Sequence, residues 1–229
     1  MNNTLHKSMA SVMFKQGNLF DNFMSAIDEY HEKAAHTIAE LKSTTKQKGD
    51  LWEEFCCLYL TKIRGFEYAW CLNDIPKEIK SSLGLGTKDL GIDIVAYYNG
   101  FYYAIQCKYR KNSGIGQQPK TSKSYLTKGY KSKGSISWKE LSTFYALCAR
   151  TGPWAKHIVI TNCHYVTHAN GSKSDKDMSI CLGSFSSLTT DDFRTMLDMQ
   201  GSILNSSSKI ISQETVRNAR LKFLETLNK

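Results

Sequence analysis

The clearest pattern of apolar and polar positions is a two-residue period over 92–108, broken once by Asn99-Gly100. An Asn-Gly pair between β-branched and aromatic runs predicts a type I′ turn joining antiparallel strands. With that turn Tyr98 faces Phe101, and pairing runs back through Ile94 opposite Ile105 and Asp93 opposite Gln106 to Asp89 opposite Arg110. Opposite residues share a face and side chains alternate, so Asp93, Gln106 and Lys108 are expected on one side, with Val95, Tyr97, Tyr102 and Ala104. Ile92, Ile94, Ile105 and Cys107 are expected on the other. A strand pair apolar on both faces is central and covered. The carboxylate, amide and ammonium at its end therefore stand out, because buried charges are usually paired or metal-bound.

Helical periodicity accounts for much of the rest. Leu19, Phe20, Phe23, Met24, Ile27, Tyr30, Ala34, Ala35, Ile38 and Leu41 predict an amphipathic helix over 18–42, broken near His31 and ended by the polar stretch 42–49. Residues 1–17 read as a poorly ordered polar start. Asp50, with Glu53 three residues on, fits a capping box that opens a second helix. Leu51, Trp52, Phe55, Cys56, Cys57, Leu58, Tyr59, Leu60 and Ile63 leave little of that helix polar, which predicts burial. On a helical wheel Glu53 falls between Leu60 and Cys57, Glu54 between Leu58 and Thr61, and periodicity alone does not choose between the two acids.

Phe66–Leu72 predicts a first strand, 73–88 a loop or short helix, and the hairpin follows. Ser137 with Glu140 predicts a capped helix with Trp138, Leu141, Phe144, Tyr145 and Cys148 inward, stopped by Gly152-Pro153. His157–Thr161 and Met178–Leu182 read as strands, Thr189–Met199 and Gln213–Leu227 as helices, and Ser206–Ser208 as a hinge. The order helix, three strands with a hairpin, helix, strand, with helices added at both ends, predicts an α/β fold around a central mixed sheet.

Composition sharpens this picture at one place. The chain carries a net charge of +9, and the stretch Lys108–Lys133 holds eight Lys/Arg and no acid, while the remaining 22 basic and 21 acidic groups nearly cancel. A localised basic excess beside the hairpin, with Tyr125 and Tyr130 among the lysines, points to a polyanion and favours nucleic acid over a membrane surface. Arg110, Lys111, Lys120, Lys123, Lys128, Lys131 and Lys133 are its candidate contacts. Seven cysteines without a Cys-x-x-Cys predict reduced thiols and, with no signal-like start or membrane span, a cytoplasmic or otherwise intracellular protein. Cys56, Cys57, Cys107, Cys148 and Cys163 read as buried thiols, and His164 and His168 as ordinary histidines.

Asp93 and Gln106, with Cβ atoms about 4.5–5.5 Å apart if opposite, offer oxygens to one hard cation. Mg²⁺ commonly takes one or two carboxylates plus water and phosphate. A carboxylate from the preceding buried helix would complete such a site, and Lys108 could position a water and offset transition-state charge. Acid, acid, amide and lysine beside a metal suit phosphodiester hydrolysis.

Gly91-Ile92-Asp93, followed after the hairpin by Gln106-Cys107-Lys108, resembles the PD-(D/E)xK nuclease signature in its Gln-x-Lys variant, typical of the Mrr-like restriction endonucleases. Lys48-Gly49-Asp50-Leu51-Trp52-Glu53, 88–96, 104–108 and 157–162 resemble the N-terminal nuclease domain of type ISP restriction-modification helicases, so the resemblance covers roughly residues 40–200. It implies a restriction endonuclease-like αβββαβ core and a metal-dependent DNA endonuclease. Asp93 would be the central metal ligand, Gln106 a further ligand through its side chain or neighbouring backbone, Lys108 the catalytic lysine and Glu53 the helix acid. The implied cofactor is Mg²⁺, with Mn²⁺ as a substitute. DNA is the implied partner, with a homodimer or a helicase/ATPase beside it and no membrane. The expected division is an N-terminal helical extension over 1–45, a nuclease domain over 46–204 with a basic insertion at 108–136, and a C-terminal helix over 205–229.

The chain departs from the relatives it resembles in carrying no P-loop, so ATP-driven activity is not implied. The Gln in place of an acid keeps a second reading open, an inactive DNA-binding or assembly module on the same fold. A third is a structure-specific nuclease acting on branched DNA or RNA.

Overall fold

The computed structural model describes residues 3–32, 38–86, 91–110, 134–167 and 174–198. Five strands form a mixed sheet in the order β1 (Tyr68–Cys71), β2 (Ile94–Tyr98), β3 (Phe101–Lys108), β5 (Lys156–Thr161), β7 (Asp177–Ile180). The first three are antiparallel neighbours, whereas β5 lies parallel to both β3 and β7. Two three-residue strands, β4 (Ser135–Ser137) and β6 (Tyr165–Thr167), form a separate parallel pair.

Helices cover both faces of the sheet. Against Ile94, Ala96, Ile105, Cys107, Ile158 and Ile160 pack α1 (Asn3–Val12), α2 (Leu19–Glu32), α3 (Ile38–Leu58), α6 (Leu182–Ser186) and α7 (Thr190–Met196). Against Val95, Ala104 and Val159 pack α4 (Lys77–Ser82) and α5 (Ser142–Cys148). This is an α/β architecture with a central mixed sheet flanked by helices, consistent with a restriction endonuclease-like fold. No helix among the described residues is long and apolar enough to cross a membrane.

An aromatic cluster fixes α3 in the first layer. Phe20 stacks on Phe185 with ring centres 4.9 Å apart, Phe23 meets Phe55 at 4.9 Å, and Trp52 stacks on Phe55 at 5.5 Å. The buried residues Leu51, Trp52, Phe55, Cys56, Tyr59 and Leu60 follow helical spacing, which places Glu53 and Glu54 at the margins of the buried stripe, both half-buried. A π-helical turn, Tyr59–Ile63, then ends the element ahead of Gly65, at φ +74°.

Several sequence expectations need correction. Residues 3–12 form α1, because Leu5, Met9 and Val12 make one face that is fully buried. Asp50 does not open a helix. It lies inside α3, which runs through the polar stretch 42–49 because nothing there breaks a helix and Thr44 and Lys48 turn inward. Trp138 is 42% exposed instead of inward, since the chain enters α5 through a 3₁₀ turn, Trp138–Leu141. Leu182 opens α6 instead of closing a strand. The C-terminal helix over 213–227, the Ser206–Ser208 hinge, Asp89, His168 and the basic stretch 111–133 lie outside the described residues.

Candidate active site

Asn99 and Gly100 both take positive φ, +49° and +90°, as a type I′ turn requires. The strand pairing is the one that turn dictates, from Tyr98 opposite Phe101 to Ile94 opposite Ile105. The ladder stops there, one pair short of Asp93 opposite Gln106. The Asp93 N–H donates to the Ile105 carbonyl at 2.9 Å, and its carbonyl accepts the Leu72 N–H at 2.8 Å. Its carboxylate turns back onto β3, where Oδ2 accepts the Cys107 N–H at 2.6 Å and the Gln106 Nε2–H. The carboxylate thus takes over a backbone donor at the point where the two strands part.

Gly91 sets that departure. Its φ is +117°, and a Cβ there would lie 3.2 Å from the Phe144 backbone nitrogen, so α5 closes directly over it. The turn also breaks the period of two. Ile92 packs with Val95 and Phe144, not with Ile94 and Ile105 as strict alternation predicts.

Asp93 and Gln106 are 6% and 4% exposed and in direct contact, so those two predicted site residues come together. Lys108 lies two residues beyond Gln106 on the same face of β3, half-buried, opposite the fully buried Thr161 of β5. Among the described residues it has no ion-pair partner. Glu53 lies half-buried on α3, in the layer that packs against Cys107. Burial pushes the Cys107 thiol well above its ordinary range, with Cys56, Asp93 and Glu53 adding to the effect. Burial likewise raises Cys56, against the lowering effect of a hydrogen bond with Cys107, and Glu53 and Asp93 again add to it. The two carboxylates therefore act on one buried thiol pair. Glu54 acts instead on Cys71. The capping-box role considered for Glu53 is absent, because Asp50 is not a helix start.

The donor set is all hard oxygen, which suits Mg²⁺ or Mn²⁺ and not a soft metal. Among the described residues no three His, Cys, Asp or Glu side chains gather as a metal cluster. A cation here would rest on few protein ligands, completed by water and phosphate. The Gln106 amide presents its nitrogen to Asp93. Presenting its oxygen to a shared cation requires a half-turn of the amide, which exchanges two groups of equal size.

Two polar clusters border the site that sequence reasoning did not single out. Asp28, 7% exposed on α2, accepts Lys48 Nζ from α3 and Tyr109 Oη from the end of β3, each at 2.8 Å. The Tyr109 ring lies 6.1 Å from that of Trp52. The segments carrying Glu53 and Lys108 are thus tied through one carboxylate. The sequence signal was an acid four residues after Met24, on an otherwise apolar stripe. On the outer side, Asn162 accepts the Arg110 N–H at 2.8 Å and donates to its carbonyl at 2.6 Å. Arg110 Nη2 pairs with Glu140 Oε1, while Glu140 Oε2 accepts both the N–H and the hydroxyl of Ser137. Arg110 is exposed and the other six candidate contacts of the basic stretch lie outside the described residues. His164 is exposed, Cys56, Cys107, Cys148 and Cys163 are buried, and Cys57 is half-buried, all as free thiols.

A restriction endonuclease family model matches residues 61–126. The match runs from the π-helical turn through the hairpin into the basic stretch, so it includes Asp93, Gln106 and Lys108 and stops short of Glu53. It supports a restriction endonuclease-like nuclease, a class whose substrate is DNA. Comparison with curated proteins and with solved structures gives no match.

Proposed function

We propose that this chain is a metal-dependent DNA endonuclease of the Gln-x-Lys type, with Asp93, Gln106, Lys108 and Glu53 as its active site. The reading also keeps the division into an N-terminal extension, a nuclease domain over 46–204 and a C-terminal helix. The observation that carries it is the buried Asp93–Gln106 contact at the parting of β2 and β3, with Lys108 next along the same face. A carboxylate buried against an amide and a backbone N–H is costly to bury for stability alone, which favours a chemical role.

Asp93, Glu53 and, after its half-turn, the Gln106 oxygen would hold Mg²⁺ or Mn²⁺. When bound, the ion supplies Lewis-acid polarisation of the phosphate and a more acidic water. Lys108 donates to that water or to a non-bridging phosphate oxygen, orienting the attack and offsetting charge that grows in the transition state. Asp93 stays fixed by the Cys107 N–H, so the carboxylate reaches the reacting phosphate already oriented. Arg110 and the lysines at positions 111, 120, 123, 128, 131 and 133 would track the DNA backbone, in a homodimer or beside a helicase/ATPase partner.

One observation favours the second reading. Gln106 gives Asp93 a donor where an acid would give a second negative ligand. That arrangement also suits a site that holds DNA without cutting it.

Plasmid cleavage with Mg²⁺ or Mn²⁺ against EDTA separates the two. Wild type should nick or cut only with metal, and Asp93→Ala and Lys108→Ala should lose cleavage while keeping the fold and salt-sensitive DNA binding. Undiminished cleavage by Lys108→Ala overturns the active-site assignment. DNA binding without metal uptake in calorimetry establishes the inactive module. Flap, junction and single-stranded DNA and RNA substrates run in parallel identify a structure-specific enzyme.

A further inference from the structure

The Sγ atoms of Cys57, near the end of α3, and Cys71, the last residue of β1, lie 3.7 Å apart. Both side chains are half-buried, unlike the enclosed Cys56, Cys107, Cys148 and Cys163. A small oxidant therefore has access to this pair that it lacks at the buried thiols. Bonded sulfurs sit at about 2.05 Å. The remaining gap of about 1.7 Å is one that χ1 rotations of about 30° at each residue would close.

We propose that Cys57 and Cys71 form a thiol–disulfide exchange site, whose substrate is a low-molecular-weight disulfide and whose product is a cross-link between α3 and β1. The Cys71 thiolate attacks one sulfur of the small disulfide, its S–S bond breaks, and one small thiolate leaves. Cys57 then gives up its proton to solvent and attacks Cys71 Sγ, expelling the second small thiolate. The protein loses two protons and two electrons, and the small disulfide becomes two thiols.

The order of attack follows from the pair itself. The hydrogen bond between the two thiols holds Cys71 below the ordinary thiol range despite burial, while Cys57 is pushed up. Cys71 is therefore the more readily ionised of the two, and the thiolate is the attacking form. The cross-link would tether α3, which carries Glu53, to the strand whose next residue, Leu72, holds the Asp93 carbonyl. The exchange chemistry is separate from phosphodiester cleavage, and its test uses no nuclease readout.

The test treats the full chain with oxidised glutathione, alkylates the remaining thiols after unfolding, and maps peptides without reduction. The expected result is one Cys57–Cys71 linked peptide, a mass loss of about 2 Da, the loss of two alkylation adducts, and full reversal by a thiol reductant. The enclosed cysteines stay reduced, and half-buried Cys181 reacts more slowly than Cys71. Cys57→Ser should trap Cys71 as a stable mixed disulfide with glutathione, whereas Cys71→Ser should yield neither product at Cys57. Wild-type protein that keeps both adducts, or that accumulates the mixed disulfide without resolving it, overturns the proposal. So does modification of Cys181 as fast as Cys71.

Discussion

Replacing Asp93 tests the geometry at the parting of the strands before any activity is measured. Its Oδ2 accepts the Cys107 N–H and the Gln106 Nε2–H, in residues 8% and 4% exposed. Asp93→Ala removes the acceptor from both donors. Hydrogen bonds to charged groups contribute about 1.5–3 kcal/mol each, which gives a first figure of about 3–6 kcal/mol. Two effects pull this down. Water can enter beside the vacated position, and the cost of burying a carboxylate charge is removed. A loss of about 3 kcal/mol is the expected net. Asp93→Asn differs, because an amide oxygen in the place of Oδ2 keeps both the Cys107 N–H and the Gln106 Nε2–H. Its loss should be about 0–1 kcal/mol. The difference between the variants corresponds to about 5–10 °C in Tm for a chain of this size. Urea and thermal unfolding at pH 7 measure it, and both variants should be inactive in plasmid cleavage. Equal losses for Ala and Asn, or no loss for Ala, would show that Oδ2 does not hold the strands as described.

Lys48→Met should destabilise by about 3 kcal/mol, because it takes a bonded cation away from the buried Asp28. Lys62→Met, whose pair with Asp198 is exposed, should change stability by less than about 1 kcal/mol, and equal losses in urea unfolding would refute the distinction. Tyr145→Phe should stabilise by about 1 kcal/mol, since the buried Tyr145 hydroxyl has no hydrogen-bond partner among the described residues. Burial pushes Tyr145 and Cys148 each up to about 12, from ordinary values of 10.0 and 9.0. Both stay neutral in the fold after the unfolded chain has ionised, so their contribution is whole below about pH 9 and fades as pH rises towards 12. Urea midpoints should fall from pH 8 to pH 11, less steeply in the Tyr145→Phe/Cys148→Ala double variant, and identical slopes would remove these groups from the account. Glu53→Gln should lower cleavage by about 100-fold or more, since even groups that only orient a metal ligand commonly contribute about 10–100-fold. Glu54→Gln should stay near wild type, and the reverse outcome would reassign the helix acid.

The hairpin was legible because Asn99-Gly100 fixes turn type and register together, and that alone set Ile94 against Ile105. The direct Asp93–Gln106 contact also followed from the register, although the ladder ends before reaching it. What alternation could not supply was the local backbone. Gly91 at positive φ rotates Ile92 into the other layer, and a glycine's conformation is not written in the pattern around it. The start of α3 escapes the pattern because 42–49 is polar throughout, yet a helix can run polar for two turns when its flanks are anchored, here by the aromatic cluster and the Lys48–Asp28 pair. Residues 3–12 show only Leu5, Met9 and Val12 at helical spacing, too sparse a stripe to detect without the surface that buries it. Strands β4 and β6, three residues each, are too short for any period to appear. Partnerships between distant segments, such as Asp28 with Tyr109 or Arg110 with Glu140, depend on packing and have no local signature.

The hydrogen bond from the Cys107 amide to Asp93 makes one backbone proton a gauge of what the carboxylate is doing. A cation that draws on Oδ2 weakens that bond, and a protonated or substituted side chain alters it in a different way. The resonance position and exchange rate of this single amide therefore report occupancy of the site directly, in a chain that need not turn over. Titrating metal, short DNA duplexes or both together against that signal would separate loading of the site from cutting.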